Sequence, residues 1–178
     1  MIETKLPTRA EALDILVEVG CSKRVIEHSK AVSKFSLKLA RVFQARDIDV
    51  DLHLVEIGGL LHDIGRSKTH TVDHGSLGGE VARSLGLPQS IANIIERHVG
   101  GGIPKEEARR LGWFPKDYLP ETWEEKIVCY ADKRVEGLRV VSIQRAIRPY
   151  VARLGGKHPS IGRIMKLHDV IVATVGEL

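Results

Sequence analysis

The sequence predicts an all-α protein, on three observations. Apolar residues recur at intervals of three and four through nearly the whole chain, and almost no stretch sustains the alternation of a half-buried strand. The gaps between periodic runs are short and hold capping residues, prolines and glycines.

In chain order, the periodicity predicts helices over 8–19, 23–45, 51–62, 74–85, 89–99, 104–111, 121–136, 139–153 and 160–176. Thr8 and Ser22 are placed to cap the first two, since a hydroxyl there accepts from an otherwise orphaned backbone N–H. Pro88, Pro104 and Pro159 stand at first-turn positions, where a missing N–H costs nothing. Gly86, Gly112 and Gly155 suit helix exits, and Gly65 and Gly75 are expected to form tight turns that aim their neighbours. The segment from His98 to Glu121, rich in glycine and proline, is the least regular and is expected to be a lid or a substrate-facing loop.

A chain of 178 residues suits one domain over 1–178, with a core at 22–136 and a basic helical extension at 137–178. Cys21 and Cys129 lie far apart and fit neither a disulfide framework nor a thiolate zinc site, which suits a reducing cytoplasm. Glu3, Glu11 and Asp14 interrupt the N-terminal apolar run, so neither a signal peptide nor a membrane anchor is expected, and no membrane partner. The net charge of +4 fits an anionic small substrate and equally a nucleic acid. Between Gly137 and His168 every charged side chain is basic, a pattern that suits either RNA and nucleotides or the solvated face of amphipathic helices.

Metal-capable residues fall inside the helical pattern. Val25, His28, Val32, Phe35, Leu39 and Val42 follow one another at three- and four-residue steps, which sets His28 on an inward stripe. His98 aligns with Ile91 and Ile94 or Ile95, Asp132 lies between Val128 and Val135, and His74 precedes Leu77 and Val81 on one face. His62 and Asp63 end the apolar run IGGLL. A lone inward histidine is more often a hydrogen-bonded core residue than a ligand, but several segments pointing such groups inward favour a shared purpose. Inward carboxylates need a cation, strong donors or a proton, and a divalent ion compensates both Asp63 and Asp132. Ligands from several helices can meet at the centre of a bundle, and imidazole with carboxylate suits Fe, Mn, Co, Ni, Zn or Mg. His53, His158 and His168 lack such context and are assigned surface or packing roles.

The order His28, then LLHDIGR at 60–66, then YADKR at 130–134 resembles the H…HD…D signature of the HD superfamily of metal-dependent phosphohydrolases, with HDIG matching one subgroup. HGSLGGEVAR from His74 and ERHVGGG around His98 resemble the extra histidine motifs of two-metal members, including bacterial diadenosine tetraphosphate hydrolases and GYP-type cyclic dinucleotide phosphodiesterases, although the GYP element is absent. The wording is most similar to a small archaeal HDIG group of predicted hydrolases. The resemblance implies a helical bundle with one or two divalent ions at its centre. His28, His62, Asp63 and Asp132 would hold the first ion; His74 and His98 would complete a second site with Asp63 bridging. It also implies attack on a nucleotide or related phosphoester by a metal-activated hydroxide.

Asp63, Arg66, Lys133 and His70 are the candidate catalytic residues. Arg66, Lys68 and Lys133 beside the motifs could grip phosphate oxygens or be solvated surface charge. His70, four residues before His74, could donate a proton to the leaving oxygen or support a ligand. Two other classes stay open at this stage: a di-iron oxygenase of the same superfamily, and a nucleotide- or RNA-binding module with a structural metal. Substrate, metal and oligomeric state are left undetermined.

Overall fold

The computed structural model describes residues 5–176, so Glu3 lies outside the described residues. Among them, helices dominate in the order α1 (Arg9–Glu18), α2 (Lys23–Gln44), α3 (Leu52–Leu61), α4 (His74–Ser84), α5 (Gln89–Arg97), α6 (Lys105–Arg110), α7 (Trp123–Arg134), α8 (Ile143–Leu154) and α9 (Pro159–Val175). A 3₁₀ turn at Ile64–Ser67 follows α3, and another at Val99–Gly101 follows α5. No helix among the described residues is long and apolar enough to cross a membrane.

The capping chemistry is where the sequence puts it. Thr8 and Glu11 form a reciprocal capping box on α1, and the Ser22 hydroxyl accepts from Val25 N–H at the start of α2. Thr122 and Glu125 make a second box that starts α7 two residues later than the periodicity suggests. Gly86, Gly112 and Gly155 leave their helices with positive φ, as expected of exits. Pro88 and Pro104 occupy cap positions, and Pro159 opens α9.

Two apolar clusters hold the helices. One joins Val32, Phe35, Leu39 and Phe43 of α2 to Ile127, Val128 and Tyr130 of α7 and to Ile164, Leu167 and Ile171 of α9. The other joins Leu16 of α1 to Ile57, Leu60 and Leu61 of α3 and to Ile91 and Ile95 of α5. Each such side chain contributes about 1.5–3 kcal/mol when fully buried. Arg97, at the end of α5, pairs with the buried Glu125 in the first turn of α7 at 2.9 Å and so ties the end of α5 that precedes His98 to the start of α7.

Two expectations fail here. Residues 135–140 are not helical: Val135–Glu136 (β1) pairs antiparallel with Arg139–Val140 (β2), Val135 facing Val140. Gly137, at φ +62, turns the chain between them, and α8 starts only at Ile143, behind the Ser142 cap. Gly65 lies in the 3₁₀ turn, as expected, whereas Gly75 lies inside α4 and serves no turn. A Cβ on Gly65 would lie 1.9 Å from the His74 carbonyl oxygen and one on Gly75 2.6 Å from Val99 Cγ2, so both permit close approach of α4.

Candidate metal centre

His28 projects from α2, His62 caps the C-terminus of α3, Asp63 follows it, and His74 opens α4. His98 caps α5 and Asp132 sits in the last turn of α7. His28, Asp63, His74 and Asp132 line a cavity of about 740 Å³, and His62 and His98 stand against them without lining it. His62, Asp63, His74 and His98 are buried, while His28 and Asp132 are partly open to the cavity.

The histidines share one orientation. His62, His74 and His98 each turn Nδ1 to the carbonyl three residues earlier, at 2.8 Å from Gly59, 2.7 Å from Thr71 and 2.7 Å from Ile95. His28 turns Nδ1 toward the Gly137 carbonyl at 3.4 Å. Since a carbonyl can only accept, Nδ1 carries a proton in each ring, and whenever the ring is neutral Nε2 presents a lone pair inward. Hydrogen bonding of this kind fixes tautomer and ring angle in metal-ligating histidines.

The Nε2 atoms and carboxylates form two overlapping groups. Asp132 Oδ1 lies 3.1 Å from His28 Nε2 and 3.3 Å from His62 Nε2. Asp63 Oδ1 lies 3.2 Å from His74 Nε2 and 3.6 Å from His98 Nε2, while its Oδ2 lies 3.8 Å from His62 Nε2. The two oxygens of Asp63 therefore face different histidines, the disposition a bridging carboxylate requires. Ligand atoms of His28, His62 and Asp132 fall within 4.8 Å of one another, as do those of His62, Asp63 and His98.

The donor set fits divalent ions. Buried His62 Nε2 has no hydrogen-bond partner although Asp132 is near, and the Nε2 atoms of His74 and His98 face each other at 3.0 Å. Burial pushes His74 down to about 3, with His98 adding to the effect, and burial likewise lowers His98. Both rings are thus neutral near pH 7, the ligand form. Burial opposes charge on His62, but Asp63 and then Asp132 raise it; burial alone would raise Asp63, but the charge so favoured on His62 first, and then His98, hold it far below the usual carboxylate range. Asp132 is held low against burial by Lys133 first, then His28 and His62. Two anionic carboxylates amid lone pairs, with little water to screen them, are compensated when cations bind.

The other candidates separate. Arg66 Nε donates to Asp63 Oδ1 at 3.2 Å and its terminal nitrogen to the His70 carbonyl at 2.8 Å; both residues line the cavity. Buried Lys133 donates to Asp132 Oδ2 and also lines the cavity. Lys68 is exposed and is not among the residues that line the cavity, which returns it to surface charge. His70 lies in a bend before α4 rather than on its helical face, because α4 begins only at His74. His53 is exposed and His168 Nδ1 meets the Tyr130 hydroxyl at 2.9 Å, consistent with surface or packing roles, whereas His158 caps α9 and also lines the cavity, which its sequence context did not suggest.

As expected of a substrate-facing segment, Val99, Ile103 and Leu111 of the irregular stretch line the cavity, and Trp113 Nε1 ties that stretch down by donating to Asp73 Oδ1 at 2.7 Å. Reasoning from sequence missed the contribution of α8, where Ala146, Pro149, Tyr150 and Arg153 also line the cavity.

A family model described as the HD domain matches residues 25–135. The chain is 50% identical over 161 residues to an uncharacterized protein of Methanocaldococcus jannaschii, covering 90% of this chain and 95% of that one. It is 35% identical over 172 residues to a tRNA (cytidine(56)-2'-O)-methyltransferase of Thermoplasma volcanium, covering 97% of this chain but only 49% of that protein, so the chain spans about half of that relative's length. Among solved structures, the HD domain of the L. monocytogenes phosphodiesterase PgpH in complex with cyclic-di-AMP superposes with a TM-score of 0.55 at 17% identity, covering 92% of this chain and 94% of that one.

Proposed function

The chain belongs to the HD-domain family, and on that premise we propose that it is a metal-dependent phosphohydrolase acting on a nucleotide or a related phosphoester. The observation that carries the reading is the convergence of His28, His62, Asp63, His74, His98 and Asp132 beside a cavity that Arg66 and Lys133 also line. In this reading His28, His62, Asp63 and Asp132 hold one ion, and His74 and His98 a second that shares Asp63. When bound, such ions supply the Lewis acidity that activates water and polarises phosphoryl oxygens.

The chain's own residues do the rest. Water adds across the ester: its oxygen joins phosphorus, the P–O bond to the leaving group breaks, and the leaving oxygen takes a proton. Arg66, anchored by Asp63 and the His70 carbonyl, offers its guanidinium to non-bridging oxygens. Asp132 keeps Lys133 charged despite burial, raising its pKa well above the ordinary value, so Lys133 serves as a fixed cation rather than a proton donor. His70, on the cavity wall beside Arg66, is the group assigned to protonate the leaving oxygen.

Two cations beside the centre favour phosphate chemistry over oxygenation, because an oxygenase has no developing phosphoryl charge to stabilise. The relative named as a tRNA methyltransferase keeps RNA in the substrate class, since an RNA terminus presents the same ester. Protein loaded separately with Mn, Fe, Co, Ni, Zn or Mg is tested against mononucleotides, cyclic nucleotides, dinucleoside polyphosphates and short RNAs. Release of a phosphoryl product with at least one ion is expected. Oxygen uptake by the reduced-iron form with no hydrolysis would move the chain to the oxygenase class, and tight binding without turnover to the binding modules.

A further inference from the structure

The cavity is larger than the chemistry at its metal end requires. A volume of about 740 Å³ falls in the range of sites for whole small molecules, roughly 300–1,000 Å³. A phosphoryl group against the histidine cluster would leave most of it unfilled. The remaining space is walled by α8, which lies outside the span matched by the family model.

That wall has an ordered chemistry. Arg145, Ala146, Pro149, Tyr150 and Arg153 recur at one- and three-residue steps, so they share one helical face, and all line the cavity. Val99, Ile103 and Leu111 line the same cavity. The cavity thus has aliphatic lining from both α8 and the segment after α5, with the half-buried Tyr150 ring as a planar element. Arg145 is neutralised by Glu136. Arg153 is not paired with a carboxylate among the described residues, and its guanidinium stands 5.8 Å from the centroid of the Tyr150 ring.

We propose that the α8 wall is a nucleoside subsite: Tyr150 packs against the base, and Arg153 takes a second phosphate on the same nucleoside. The substrate is then a nucleotide phosphoester that bears an additional anionic group, distinct from the ester cleaved at the metal end. An aromatic ring in a cavity with aliphatic lining suits a base of any identity, since every base presents a π-face. A planar guanidinium beside it suits phosphate. The proposal rests on the phosphohydrolase reading for its kinetic arm only.

Three chromogenic esters separate the contributions: bis(p-nitrophenyl) phosphate, the p-nitrophenyl ester of thymidine 5′-phosphate, and that ester bearing a 3′-phosphate. In the manganese-loaded protein, kcat/KM is expected to rise by about tenfold or more at each addition, the scale of one stacked base or one charge-assisted contact. Tyr150→Leu should collapse the ratio between the second and first esters toward one, and Tyr150→Phe should restore it. Arg153→Gln should collapse the ratio between the third and second. Ratios measured within one variant are insensitive to how much of it folds. Equal kcat/KM for all three esters in the wild type, or ratios unchanged in the variants, overturns the subsite.

If no ester releases p-nitrophenolate, the phosphohydrolase reading fails, and calorimetry with thymidine 3′,5′-bisphosphate tests the subsite separately. Binding about tenfold weaker in both Tyr150→Leu and Arg153→Gln supports it. Equal binding by wild type and variants overturns it.

Discussion

The Nε2 atoms of His74 and His98 stand 3.0 Å apart while both Nδ1 atoms face backbone carbonyls at 2.7 Å. Two rings so fixed confront each other through lone pairs, which is repulsive unless a proton or a metal ion intervenes. Burial holds His74 down to about 3, so a proton does not resolve the conflict near neutral pH.

A second ion is therefore expected beside this pair. His74→Ala and His98→Ala should each lower bound manganese from about two toward one per chain, on the two-ion arrangement of hydrolytic sites. Elemental analysis of dialysed protein and anomalous scattering from manganese-soaked crystals give the count. A single peak, with both histidines beyond coordination range, would refute the second site and leave the first standing.

Chelation should destabilise the fold. An ion present at 100 times its Kd adds about 2.7 kcal/mol to the folded state, worth roughly 5–11 °C in a chain of this size. EDTA should lower Tm of the wild type by about that amount and have no effect on Asp63→Ala or Asp132→Ala, which should also lack hydrolysis. Either variant keeping full metal content and full turnover would remove the proposed first site.

Arg66 and Lys133 should fail differently. Arg66 is partly exposed and shares Asp63 with other partners, so Arg66→Ala should raise KM at unchanged metal content. Buried Lys133 compensates Asp132, so Lys133→Ala strands a charge and should cost the metal-free protein about 3–5 kcal/mol. Metal addition should recover part of that loss. Identical denaturation curves for metal-free Lys133→Ala and wild type would show that Lys133 does not compensate Asp132.

Gly65→Ala should be among the most damaging substitutions outside the ligand set. Its methyl group would lie 1.9 Å from the His74 carbonyl oxygen, an atom of the main chain that cannot rotate away. A loss of about 3 kcal/mol or more in urea denaturation is expected, against about 1 kcal/mol for Gly112→Ala, where only positive φ is disturbed. Equal losses would mean that α4 can retreat without penalty.

Both thiols should resist alkylation until the chain unfolds. Burial pushes Cys129 up to about 12, and its thiol donates to the His98 carbonyl at 3.3 Å; burial also raises Cys21. A raised thiol pKa leaves almost no thiolate at pH 8, and thiolate is the reactive form. Iodoacetamide should label neither residue in native protein and both in urea. Rapid native labelling of Cys129 would mean that the His98 end of α5 opens on the labelling timescale.

Ligand positions were legible where a helix imposed its period. His28 and Asp132 fall in step with valines that pack the core, so their inward direction could be read without coordinates. The hairpin at 135–140 escaped because two residues per strand are too few to show alternation. His70 was misplaced because a four-residue step has meaning only inside a helix, and the chain there is bent. Least legible was α8. Its basic residues look like any solvated face, and only the packed structure turns Tyr150 and Arg153 toward the space that the metal centre opens into.

Three of the four imidazoles are aligned by carbonyls of their own chain neighbours, contributed by Gly59, Thr71 and Ile95. Those residues share nothing in side-chain chemistry, because the carbonyl belongs to the peptide and not to the residue. Mutational drift at 59, 71 or 95 therefore cannot delete an alignment contact so long as the local backbone persists. His28 differs, since its carbonyl comes from Gly137, remote in sequence and at the hairpin turn. Heritable variation can tune the centre at that one ring by reshaping a surface turn, while the other three resist such retuning.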